Sequence, residues 1–205
     1  MASDNTVSGR RVVGNISLSI DGRVTGPGGD MDMGWVARHA VTDAAREHMV
    51  RQTDTATTVL LGRKNYEGFG GYWPAVATDE SADPRDRTLA RWLDSVEKVV
   101  FSTTLTSVDW SNARLADAEP AAVVQQLRKA DGGDIIVQNS VSIIRQLLAA
   151  DEIDRLTLTL CPEIVGGGTR LFEDGLPVTT WTLTDLATAE TGAMCVSYDR
   201  LRGDG

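Results

Sequence analysis

The sequence predicts an α/β domain with a mostly parallel central sheet, flanking helices and an antiparallel C-terminal edge strand. Three observations predict it. Short apolar runs at residues 57–61, 97–102 and 134–137 have the length and β-branched content of buried strands. Amphipathic stretches at 41–53, 119–130 and 140–150 have helical spacing and alternate with those runs, the order that gives parallel strands. The segments 181–189 and 193–201 alternate as strands across Thr191-Gly192, a tight connection that only antiparallel neighbours can use.

Residues 1–9 read as a disordered start, and 10–203 as one domain. The stretch 11–20 alternates as a strand and stops at the turn signal Asp21-Gly22. A glycine-rich loop follows, Gly26-Pro27-Gly28-Gly29, and runs on through Asp30, Asp32 and Trp35. A loop of this length carrying Met and Trp is expected to cover a ligand. The helix at 41–53 takes Thr42 or Asp43 as its N-cap. The strand at 57–61 breaks at Gly62, followed by Arg63, Lys64 and a glycine-rich turn ending near Pro74. The polar segment 78–87 reads as an exposed loop, 88–94 as a short helical piece and 110–115 as a short strand. Asp117 is expected to cap the helix at 119–130, with Pro120 in its first turn and Gly132-Gly133 ending it. After the strand at 134–137, Gln138-Asn139-Ser140 turns directly into the next helix. A strand at 153–161 follows, then the run Gly166-Gly167-Gly168, after which Leu171-Phe172 packs back.

Composition narrows the function classes. The net charge is −9 and no basic stripe is visible, which argues against nucleic acid and anionic membranes as partners. No apolar run is long enough for a membrane span, and the first residues lack the apolar core of a signal peptide, so a cytoplasmic protein is expected. Cys161 and Cys195 sit in apolar or β-branched surroundings and read as buried free thiols. His39 and His48 show no metal-ligand spacing with each other or with the cysteines, so no metal site is expected.

In so acidic a chain, the Arg63-Lys64 pair at a strand end points to an anionic ligand held by local cations and backbone N–H groups. Two other strand ends resemble it: Ser102-Thr103-Thr104 and Gln138-Asn139-Ser140. If the three strands are neighbours in a parallel sheet, all three ends share the carboxyl edge, where open α/β sheets bind ligands. The strand-to-helix turn at Asn139-Ser140 offers free helix N–H groups to a pyrophosphate. The Ser102 and Thr103 hydroxyls with Arg63 suit a terminal phosphate such as that of NADP. No G-x-G-x-x-G follows the first strand, which disfavours a Rossmann domain, and Gly166–Gly168 lacks the lysine of a P-loop. Of the carboxylates near the first loop, Asp21 and Asp32 flank the presumed lid and are the candidates to bind a ring N–H or supply a proton. Asp30 reads as a turn residue.

Four motifs in order carry a family resemblance: LLGRKNYEGFG at 60–70, VVFSTTL at 99–105, IIVQNSVSIIRQLL at 135–148 and MCVSYDRL at 194–201. Together they resemble the dihydrofolate reductase superfamily. SLSIDGRVTG at 17–26 and LTLTLCPEIVGGGTRLF at 156–172 are closer to the reductase domain of riboflavin biosynthesis (the RibD C-terminal domain) and its stand-alone relatives. The resemblance implies a dihydrofolate-reductase-like fold and an NADPH-dependent reductase, usually a homodimer, acting on a small pteridine-, pyrimidine- or flavin-like ring. It places Gly62, Arg63 and Lys64 near the cofactor phosphates and Ser102 and Thr103 beside the 2′-phosphate. It places Gln138, Asn139, Ser140, Val141 and Ser142 along the pyrophosphate and nicotinamide. Asp21 and Gly22 would face the substrate, with Asp32, Trp35 and Gly166. The family usually carries glycine where this chain has Gln138-Asn139-Ser140, and that feature favours the alternative of a non-catalytic nucleotide-binding or regulatory module.

Overall fold

The computed structural model describes residues 9–30 and 32–202, so the expected disordered start lies, apart from Gly9, outside the described residues. Eight strands form one sheet: β1 Val12–Ser19, β2 Ala56–Gly62, β3 Glu97–Phe101, β4 Ala113–Leu115, β5 Asp134–Gln138, β6 Arg155–Cys161, β7 Thr180–Thr188 and β8 Met194–Leu201. Their order is β4-β3-β2-β5-β1-β6-β8-β7. Every pairing from β4 to β6 is parallel, while β8 runs antiparallel to both β6 and β7. The fold is therefore the mostly parallel α/β sheet with an antiparallel C-terminal edge that the sequence predicts.

The helices are α1 Ala37–Ala40 (after a 3-10 turn at Gly34–Val36), α2 Asp43–Thr53, α3 Arg63–Thr78, α4 Pro84–Ser95, α5 Pro120–Leu127 and α6 Val141–Ala149. Val12, Ile16 and Leu18 of β1 face one side of the sheet, where they join Ile143, Ile144 and Leu147 of α6 and Val123, Val124 and Leu127 of α5 in the main core. Burial of such side chains contributes about 1.5–3 kcal/mol each before entropy is counted. On the other side, Val13, Val59, Leu61 and Ile136 pack beneath Tyr66, Phe69 and Trp92 of α3 and α4.

Three expectations are corrected. The supposed glycine-rich turn is helix: α3 continues through Gly68, Gly70, Gly71 and Pro74. Tyr66, Phe69 and Trp73 recur at spacings of three and four and share one face, and that tertiary face outweighs the poor local propensity. The polar loop at 78–87 ends early, because Asp83 caps α4 by accepting the Arg85 N–H at 2.9 Å and Pro84 occupies its first turn. Asp117 does not cap α5. Glu119 holds that position, without a side-chain hydrogen bond. At α2 the cap is Thr42, whose hydroxyl accepts the Ala45 N–H at 3.3 Å.

Candidate active site

The neighbours β3, β2 and β5 bring the ends of three strands to one edge, as the sequence requires of a shared ligand site. Gly62 closes β2 and serves as N-cap of α3; Ser140 follows β5 and serves as N-cap of α6. The two meet directly, the Gly62 N–H donating to Ser140 Oγ at 2.8 Å. Asn65 Nδ2 donates to the Asn139 carbonyl at 2.7 Å and to Ser140 Oγ at 3.0 Å, fixing the two turns side by side. Neither helix start has a side-chain cap hydrogen bond, so two sets of first-turn N–H groups stay open to a ligand.

Asn139 has φ +52°, the left-handed conformation that glycine adopts freely. Asn tolerates this region better than other side chains, so the turn keeps the backbone path a glycine would give. Gln138 is different from expectation in its side chain. It is buried, and its Oε1 accepts from Asn15 Nδ2 at 3.0 Å on the α2 side of the sheet, so only its backbone belongs to the turn.

The cations are present but occupied. Arg63 pairs with Glu67 at 2.8 Å, one turn along α3, and Lys64 pairs with Asp30 of the glycine-rich loop. Both pairs are exposed, and an exposed pair at this spacing contributes only about 0.3–0.5 kcal/mol, so a phosphate can displace the carboxylates at small cost. Ser102 Oγ accepts the Thr104 and Leu105 N–H groups at 3.1 and 2.9 Å and lies 3.4 Å from the Thr104 hydroxyl. Thr103 is exposed beside it.

On the substrate side the carboxylates are more firmly held. Asp21 accepts from the Ser19 hydroxyl at 2.7 Å and from the Val165 and Gly166 N–H groups at 3.0 and 2.9 Å. The Ser19 hydrogen bond, with the backbone donors, keeps its carboxyl below the usual carboxylate range. Asp32 accepts the Gly28 N–H at 2.9 Å, closing the glycine-rich loop on itself. Gly22 (φ +74°) completes the turn after β1, and its N–H donates to the Ser19 carbonyl at 2.9 Å. A Cβ at Gly168 would stand 2.1 Å from the Thr25 carbonyl, so the glycine run makes room for the backbone that leads into the loop. Trp35 is half-buried, and its indole N–H has no protein partner.

Sequence reasoning missed the floor between these elements. Asn15, Ser17 and Ser19 alternate with the core residues of β1 and point to the α2 side, where Ser17 lies in register with Thr159 of β6. Ser17 and Thr159 are both partly exposed although β1 is a central strand. Ser17 and Thr159 thus leave an accessible polar spot in the middle of a helix-covered sheet, with Asn15 and Ser19 buried on either side. The signal was the alternation itself: in a strand covered by helices on both sides, a polar half-face has no open solvent to point to. His39 was also missed. It is fully buried, with Nδ1 2.9 Å from Thr191 Oγ1 and Nε2 3.1 Å from Glu163 Oε1. Hydrogen bonds from His39 and Arg38 hold the Glu163 carboxyl below its ordinary value.

Known proteins resemble this chain in sequence and in fold. The chain is 26% identical over 195 residues to the uncharacterized protein YyaP of Bacillus subtilis, covering 95% of this chain and 97% of that one. A putative riboflavin biosynthesis protein from Shewanella sp. PV-4 superposes with a TM-score of 0.67 at 19% identity, over 94% of this chain and 99% of its own. Dihydrofolate reductase from Enterococcus faecalis, complexed with NADP(H), superposes with a TM-score of 0.58 at 14% identity, over 94% and 97%. These two likenesses establish the fold. Residues 10–195 match the family model of the RibD C-terminal domain, a span that contains all three strand ends and the turn after β1. On that match, over nearly the whole described chain, the protein belongs to the RibD C-terminal domain family.

Proposed function

We propose that the protein is an NADPH-dependent reductase of a small nitrogen heterocycle of pteridine, pyrimidine or flavin type. The observation that carries this reading is the Gly62–Ser140 contact, which sets two uncapped helix starts beside each other at the carboxyl edge of the sheet. The residues fit the dinucleotide. First-turn N–H groups of α6, at Val141 and Ser142, would take the pyrophosphate, with Asn139 and Ser140 shaping the turn. Arg63 and Lys64 would exchange Glu67 and Asp30 for phosphate, and the Ser102 and Thr103 hydroxyls would complete the 2′-phosphate contact. Bound there, the nicotinamide would supply a hydride to the substrate ring.

The chain's own residues then position and enclose the ring. The partly exposed Ser17 and Thr159 hydroxyls, in register on β1 and β6, would offer hydrogen bonds to it from the sheet. The glycine-rich loop, latched where Asp32 accepts the Gly28 N–H, would shield it from water. Asp21 holds the Val165-Gly166 turn at the rim, so its effect on turnover acts through that turn. The test is NADPH oxidation in the presence of dihydrofolate, aminopyrimidine ribosides and flavins. Turnover with one class supports the reading. Tight NADPH binding with no oxidation by any of them would favour the non-catalytic nucleotide-binding module, a reading supported by the engagement of Asp21 and Asp32 with backbone N–H groups.

A homodimer fits the exposed Leu183 and Leu186 on the edge strand β7, and light scattering on a sizing column decides it. The free, buried thiols Cys161 and Cys195 fit a cytoplasmic setting, where thiols stay reduced.

A further inference from the structure

The face of the sheet beneath α2 carries a buried polar pair on its central strands. Asn15 of β1 and Gln138 of β5 are register partners, each only 3% exposed. Two residues earlier on the same strands, the partners Val13 and Ile136 are apolar. Parallel strands buried on both faces run near-continuously apolar, so two amides here break the pattern. They meet side chain to side chain, Asn15 Nδ2 donating to Gln138 Oε1 at 3.0 Å. Turned end for end together, the two amides would still share one N–H to C=O bond, so the link does not depend on which atom is which. Thr157 Oγ1 of β6 lies 3.0 Å from Asn15 Oδ1. Met49 Sδ of α2 lies 3.5 Å from the Gln138 amide nitrogen and 3.9 Å from that of Asn15, and a thioether is a weak acceptor.

Such a pair adds little stability beyond what two apolar side chains of like shape would contribute. Its position gives it another use. Gln138 ends β5 and opens the turn that leads into α6. The next residue, Asn139, stands at φ +52°, and its N–H donates to the Asn15 carbonyl at 2.9 Å. Asn15 therefore holds the turn twice, by its side chain at Gln138 and by its backbone at Asn139. From the other side, Asn65 of α3 donates to the Asn139 carbonyl at 2.7 Å and to Ser140 Oγ at 3.0 Å. A non-glycine residue stays in the left-handed region when its surroundings over-determine it, and these two clasps do so. What they fix is the direction of the first-turn N–H groups of α6.

We infer that Asn15 is a positioning residue: buried beneath the nucleotide site, its side chain grips Gln138 and sets the turn that aims the α6 N–H groups at the pyrophosphate. The inference rests on the NADPH reading above. It is tested by calorimetric titration of the full-length protein with NADPH and with adenosine 2′-phosphate, which carries the 2′-phosphate but no pyrophosphate. Asn15→Leu should weaken NADPH about tenfold and leave adenosine 2′-phosphate within about twofold of the parent. A double variant, Asn15→Leu with Gln138→Met, replaces both amides by apolar side chains, while Thr157 keeps Gln52 Oε1 at 3.1 Å. It should recover the parent's urea midpoint, yet its NADPH binding should stay about tenfold weaker. A merely structural pair cannot give that split between stability and binding. If Asn15→Leu does not fold, the double variant decides. NADPH bound as tightly as by the parent in either variant would overturn the inference, and so would an equal loss of both ligands. A parent protein that binds neither ligand would refute the nucleotide reading, and the inference with it, an outcome distinct from a parent and variants that all bind alike.

Discussion

Ser140 Oγ accepts the Gly62 N–H at 2.8 Å, so one hydroxyl joins the ends of two parallel strands and the starts of two helices. The same oxygen receives Asn65 Nδ2 at 3.0 Å. Ser140→Ala leaves the Gly62 N–H and the Asn65 amide without this acceptor in a largely buried turn. The expected loss is about 1–3 kcal/mol of stability, read from the urea midpoint. NADPH binding should weaken with it, because both open helix starts are positioned by this contact.

Asn139 stands at φ +52° in the turn after β5. Asn139→Gly should leave stability within about 1 kcal/mol of the parent and preserve nucleotide binding. Asn139→Val forces a β-branched side chain into the left-handed region and should lose about 1–3 kcal/mol. Parallel thermal melts of the two variants make the comparison, and equal behaviour of glycine and valine would show that the turn does not need this conformation.

Much of the fold was legible because its central strands are short, apolar and separated by amphipathic helices. The run at 134–137 and Ile143, Ile144 and Leu147 after it could hardly pack otherwise. The strand ends were legible for the same reason: parallel neighbours place their carboxyl ends together. Two kinds of feature stayed hidden. In α3, Gly68, Gly70 and Pro74 all argue against helix, and only packing of Tyr66 and Phe69 on the sheet overrides them. On β1, the role of Asn15 and Ser17 depends on β1 being the fifth strand of eight, a fact of topology that no local pattern contains. The Asp21 carboxylate was legible as important, but its partners at Val165 and Gly166 lie 144 and 145 residues away.

His48 makes folding sensitive to acid. Its folded pKa is lowered from 6.5 to about 4, chiefly by burial. Above pH 6.5 both folded and unfolded chains carry it neutral, and its contribution is flat. As pH falls from 6.5 toward 4, the unfolded chain takes up the proton and the folded chain does not, so stability is lost across that window. The integrated effect is about 3 kcal/mol. Denaturant titrations at pH 7 and pH 4.5 should show a smaller loss for His48→Phe than for the parent. An identical loss would place the acid sensitivity elsewhere.

Lys98 is fully buried, and its ammonium donates to the carbonyls of Asp94, Val96 and Ser111 at 3.2, 2.9 and 2.7 Å while lying 4.8 Å from the Trp110 ring centroid. Burial lowers its pKa to about 8, which still leaves it charged at neutral pH. It ties the end of α4 to β3 and to the loop before β4. Lys98→Met keeps the stem's packing but strands the carbonyls, and should lose about 2–4 kcal/mol, measured by the shift in urea midpoint.

The nucleotide site itself is tested most directly by fluorescence titration of the protein with NADPH and with NADH, repeated on Arg63→Ala. Saturable binding that prefers NADPH, with the preference reduced on the order of tenfold in Arg63→Ala while NADH binding changes little, is the predicted result. Failure of the parent protein to bind either nucleotide would contradict the assignment of the three strand ends.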